Sequence, residues 1–158
     1  MRSDLRLGIA DAYCVNSLMA DVREIDDEEW WVGLGKPTLP SLLVAVEETF
    51  LPRAVVDQAD RCLAIWGMDR PDSASCAQAW FIATNRAVTL SCAMHRFYKD
   101  GIAEMHEHAD CLYAYSYEKN HVHHEWMQHF GWRRWRPRTS TWTLPSRCLL
   151  FTHSSTRH

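Results

Sequence analysis

The chain has 158 residues, with 17 Lys+Arg against 20 Asp+Glu, a formal net charge of −3, 47% hydrophobic residues and 23% charged. Those proportions describe a globular domain with enough apolar material for one core. They exclude a general polyanion binder, and no run of about 18 apolar residues is present to span a membrane. No basic segment leads into an apolar one at the start, so secretion is not expected.

Along the chain, Leu5 to Ile9 alternates as a short strand. Asp11 then stands as an N-cap before Ala12, Val15, Leu18, Met19 and Val22, which recur at helical spacing. Asp26-Asp-Glu-Glu29 loads acid into the first turn of a second helix, which Gly33 and Gly35 end. Thr38 and Pro40 announce a third, from Ser41 to Phe50. Arg53–Asp57 and Arg61–Met68 read as a hairpin, Asp69–Ser75 as a loop and Ala77–Ala83 as a further strand. One long helix is predicted from about Leu90 to His108, interrupted only by Gly101. Cys111–Tyr117 alternates as a strand, Asn120–Phe130 is helical, and Gly131 stops it. Trp132–Arg138 and Cys148–Thr152 close the set as strands. The predicted organisation is one domain over 1–153 with a frayed tail over 154–158. Helices that return between strands imply crossovers onto one sheet. The fold class is therefore α/β (α+β), with a mixed, mostly antiparallel sheet flanked by helices.

The six cysteines are scattered without any C-x-x-C and fall in apolar strings, so they read as reduced, buried residues. Eight tryptophans and nine histidines are many for this length, and most lie in the second half. The histidines give no metal motif. His124 and His129 stand five apart, which turns the rings about 140° from one another on a helix, so no metal is expected and the histidines read as surface residues.

Tyr117-Glu-Lys-Asn120, followed by a helix and by Gly131-Trp132 eleven residues after the Asn, resembles the late segment of the GNAT N-acetyltransferases. Cys76-Ala-Gln-Ala-Trp-Phe-Ile-Ala-Thr84 and Ala20-Asp-Val-Arg-Glu-Ile25 resemble a divergent branch of that superfamily, the internal virion proteins (internal core protein A) of short-tailed phages. The resemblance runs in order over nearly the whole chain. It implies a GNAT-like domain and a virion location, with assembly or genome ejection as the role. Other virion proteins would be the partners, with possible contact to packaged DNA, several copies per particle and no membrane.

Acetyltransferases of that superfamily cradle a cofactor diphosphate on the backbone of a glycine-rich turn. The matching stretch here, Thr84-Asn-Arg-Ala-Val-Thr-Leu-Ser-Cys92, has no glycine. Arg86, Ser91 and Asn120 are the degenerate positions: a charge for phosphate, a helix cap and a family-matched Asn whose plain role is an N-cap. Acetyl-CoA is therefore not the expected cofactor and no catalytic residue is assigned. The alternative is an active acyl-CoA-dependent N-acyltransferase, for which Tyr115 and Tyr117 lie where a proton donor to the leaving thiolate would sit.

The one basic run is Trp132-Arg-Arg-Trp-Arg-Pro-Arg138. Trp and Arg are enriched at interface hot spots, so Trp132, Arg134, Trp135, Arg136 and Arg138 are the predicted partner surface, with a solvated sheet edge and a DNA contact as the alternatives.

Overall fold

A computed structural model describes residues 4–136 and 147–155. Its axis is a strand with every side chain buried, Cys62–Met68 (β3). An element apolar at every position must be covered on both faces. Its neighbours in the sheet are Arg53–Val56 (β2), paired in turn with Arg6–Ile9 (β1), and on the other side Cys76–Ala83 (β4). Beyond β4 come Cys111–Tyr117 (β5), Cys148–Ser154 (β7) and Arg133–Trp135 (β6), in the order β1-β2-β3-β4-β5-β7-β6. Every pairing is antiparallel except β4 with β5. That parallel pair needs a crossover, and the helices between the two strands supply it.

Strand alternation sends Ile65 and Ile82 to one face, where Ala12–Met19 (α1) and Thr38–Glu48 (α3) bring Val15, Leu18, Leu42 and Val46 onto them. Trp66, Ala77, Ala79, Leu112 and Ala114 face the other way, under Ser91–His106 (α5) and His121–His129 (α6). Asp11 caps α1 as its sequence foretells, accepting Cys14 N–H at 2.9 Å. The second helix, Glu24–Leu34 (α2), ends at Gly35 with φ +65°, a conformation that favours glycine.

The structure adds one helix and corrects two boundaries. The long helix runs as one piece, Ser91–His106, close to its expected span; ahead of it Thr84 caps a short helix, Asn85–Thr89 (α4), through its hydroxyl to Ala87 N–H, and the chain bends at Leu90 between the two. The third helix starts at Thr38 and stops at Glu48, because Thr49 is already extended. The last strand runs through Ser154, paired with Cys111, where the tail was expected to begin. All six cysteines are free thiols; Cys14, Cys62 and Cys148 are buried, Cys76 and Cys111 half-buried and Cys92 exposed, so the expectation of burial holds for only part of the set. Among the described residues no helix is long and apolar enough to cross a membrane.

Gly67 marks the tightest packing on β3. A Cβ there would lie 2.7 Å from Thr49 Oγ1 and 2.8 Å from the Trp80 indole, which Trp30 holds edge-on from behind at 5.5 Å. Gly67→Ala should lower stability by about 1–3 kcal/mol through overpacking, read as a lower urea midpoint at unchanged slope.

Candidate active site

The parallel pairing of β4 and β5 lasts only from Cys76–Cys111 to Gln78–Tyr113. Both strands then continue, to Ala83 and Tyr117, without pairing each other. Backbone groups facing such a gap must find other partners or be desolvated at a cost. Here α2 and α6 close it with side chains. Ala83 N–H donates to Asp26 Oδ2 at 3.0 Å, while Ala83 C=O accepts Arg23 N–H at 3.2 Å. Asn120, the N-cap of α6, accepts His123 N–H at 3.3 Å and donates through its amide to Asp26 Oδ1 (3.1 Å) and Glu29 Oε2 (2.6 Å). Ser116 on β5 donates to Glu29 at 3.3 Å, and its oxygen lies 3.1 Å from His123 Nδ1. Glu29 Oε1 stands 3.5 Å from the same nitrogen.

The charges in this network balance. Arg23 sits 3.4 Å from Asp26, its side chain 11% exposed, and Glu29 faces His123, their side chains 12% and 8% exposed. Burial penalises each charged form, and pairing decides the outcome. At Asp26 burial prevails and raises the carboxyl above its usual range, against the opposing charges of Arg23 and His123. At Glu29 burial is outweighed by the charge and hydrogen bond of His123 and by the Asn120 amide, so the carboxyl stays low. At His123 burial pushes down, but Glu29 and then Asp26 hold the imidazole above its ordinary value. With Nδ1 turned to Ser116 and Glu29, Nε2 is the nitrogen free to exchange a proton.

A cavity of about 860 Å³ opens at this point. Its lining includes Ala79 and Ala114, which face α5 and α6, and also Trp80 and Tyr115, which face α2 and α3; it therefore passes through the sheet where the strands part. Glu29 and His123 belong to its wall, and so do the aromatic side chains of Trp30, Trp66, Tyr98, Trp126 and Trp132. Phe81 lies stacked on Trp126 at 5.0 Å, with Tyr98 edge-on to both. The Trp132 indole N–H is buried in this wall without an acceptor among the described residues.

The predicted residues separate. Asn120 is the expected N-cap and also the hinge of the buried network. Arg86 does not stand free for phosphate: its Nε lies 3.3 Å from Asp57, which also takes Arg61 at 2.7 Å. Ser91 caps nothing, because Leu90 occupies the N-cap position of α5 and no side chain bonds there. Tyr115 lines the cavity, whereas Tyr117 turns its hydroxyl to Glu28 at 2.9 Å. Of the predicted partner surface, Arg134, Trp135 and Arg136 are exposed and Arg138 lies outside the described residues. Trp132 is buried, because it packs on His153 and enters the cavity wall before β6 begins. The reading of the histidines as surface residues holds for His95, His108, His121 and His129 and fails for others. His123 and His124 are buried, and His106 bonds His153 through ring nitrogens 2.7 Å apart. Among the described residues no three His, Cys, Asp or Glu are placed to hold a metal.

Sequence reasoning missed Glu29, Asp26 and His123. The acidic run was read as a helix-dipole feature, yet two of its four carboxylates point inward. The available signal was His123 three residues after Asn120, the spacing that turns a capped first turn's side chain back toward its cap.

The turn after β4 is where the acyl-CoA diphosphate of the alternative reading would lie. The first N–H groups of α4 are already taken: Asn85 by Asp21 C=O, Arg86 by the Asp21 carboxylate (3.1 Å) and Ala87 by Thr84 Oγ1 (3.1 Å). These residues do not fit a diphosphate.

Asn120→Ala would strip one donor each from Asp26 and Glu29 and uncap α6. The expected loss is about 2–4 kcal/mol, measured by denaturant unfolding.

No family model and no curated protein matches the sequence. Solved structures do. A GCN5-related N-acetyltransferase from Kribbella flavida is similar with a TM-score of 0.65 at 16% identity, over 96% of this chain and 98% of that one. A GNAT-family acetyltransferase from Staphylococcus aureus gives 0.67 at 10%, over 95% and 98%. A ribosomal-protein-S5-alanine acetyltransferase from Vibrio fischeri gives 0.62 at 8%, over 97% and 94%. These likenesses overturn the kinship with phage internal virion proteins and the assembly or ejection role drawn from it, since they lie with acetyltransferases across nearly the full chain. At such low identity they show the architecture alone: this chain has the GNAT N-acetyltransferase fold.

Proposed function

We propose that the protein is an N-acyltransferase that moves an acyl group from a thioester donor of the acyl-CoA type to an amine. The observation that carries this reading is the buried Glu29–His123 pair opening on a cavity at the point where β4 and β5 part. An amine enters water-side as an ammonium ion and must lose a proton before it can attack. His123 Nε2 accepts that proton, and Glu29 stabilises the imidazolium that results. The new N–C bond forms as the C–S bond breaks; the nitrogen then gives up a second proton, which goes to the departing thiolate, and the first leaves His123 for solvent.

The cavity lining from α2 and α3 carries Trp30, Leu34, Pro37 and Val44, with the carboxylates of Glu29 and Glu48 against one cation, Lys36. Aromatic faces with an excess of carboxylate favour a cationic head on an apolar body.

The test is thiol release from short-chain acyl thioesters in the presence of a panel of primary amines, with the acylated amine identified by mass. His123→Gln should lower kcat by about 10²–10⁴-fold while the circular dichroism spectrum stays unchanged. Because Glu29 and Asp26 hold the imidazole above 6.5, the base form accumulates only as pH rises past that value. The rate should therefore climb with pH through an apparent pKa above 6.5, and Glu29→Gln should move that pKa down. Absence of transfer to any amine across this range would contradict the proposal.

A further inference from the structure

We infer that donor recognition in this chain stops at the thioester arm, because the chain's own carboxylates occupy the place and the charges that a diphosphate would need. The inference rests on the N-acyltransferase reading and names the donor class that reading takes.

Three observations converge. Thr84 to Cys92 contains no glycine, so the backbone there cannot approach a phosphate as closely as a glycine turn does. The N–H groups of Asn85, Arg86 and Ala87 are satisfied internally, and Asn85 Nδ2 also donates to Asp21 Oδ1 at 3.3 Å and to Asp21 C=O at 3.2 Å. Asp21 thereby sets a negative charge at the turn, opposite in effect to what an anionic ligand requires. The neighbouring cations Arg61 and Arg86 both face Asp57, whose side chain is 7% exposed. The cavity, by contrast, remains open around Glu29 and His123. A thioester with a short amide-bearing arm meets this space; a nucleotide diphosphate meets carboxylates.

The experiment is isothermal calorimetry of the full chain with acetyl-CoA, with acetyl-pantetheine, and with adenosine 3′,5′-bisphosphate as the nucleotide end alone. Dissociation constants for the two thioesters within tenfold of each other, with no heat from the bisphosphate at millimolar concentration, are the expected result. A preference for acetyl-CoA above tenfold, or binding of the bisphosphate, would overturn the inference while leaving the N-acyltransferase reading intact. If neither thioester binds, that reading falls and this inference falls with it. Asp21→Asn keeps an acceptor oxygen for Arg86 N–H but removes the charge. It should tighten acetyl-CoA about threefold or more and leave acetyl-pantetheine unchanged; no change for acetyl-CoA would overturn the part assigned to Asp21.

Discussion

The structure turns on a sheet that comes apart at its centre. Two parallel strands pair for three residues and then separate, and a gap in the middle of a sheet exposes polar backbone that neither apolar packing nor water readily satisfies. This chain meets that demand with side chains from two helices on opposite faces. Asp26 and Glu29 arrive from α2, Asn120 and His123 from α6, and Ser116 from β5 itself. The ionisable groups are therefore where they are for a structural reason first. Their chemical use follows, because the same gap that needs filling leaves a cavity through the sheet.

A buried network of two carboxylates, a guanidinium and an imidazole is stable only when its charges compensate, since removing one partner leaves another buried and unpaired. Arg23 with Asp26 and His123 with Glu29 give that compensation, and Asn120 ties the two pairs together. The consequence is a histidine kept basic inside protein. That property also suits proton transfer, so fold integrity and proposed chemistry draw on the same contact.

Much of the scaffold was legible because it depends on local patterns. The Asp11 cap, the buried hairpin strand Cys62–Met68, the Asn120 cap and the order of strands and helices all follow from periodicity and punctuation. The GNAT fold was legible from order and from Asn120 to Gly131. The site was not, because its members are distant in sequence and individually ordinary. Asp26 meets Asn120 across 94 residues, and an acidic first turn looks the same whether it faces water or a gap. Trp132 was misread for a related reason: it sits beside an arginine strand but before that strand begins, so alternation does not govern where its ring goes. The virion role, drawn from one branch of a superfamily, was the inference that local sequence resemblance supported least.

Glu29, from the gap it fills, holds the buried His123 imidazole above its ordinary titration range. The most direct test is NMR titration of the His123 imidazole in the intact chain and in Glu29→Gln. The expected midpoint lies above 6.5 in the wild-type chain and drops once Glu29 loses its charge. A wild-type midpoint at or below 6.5, or one indifferent to the substitution, would contradict it.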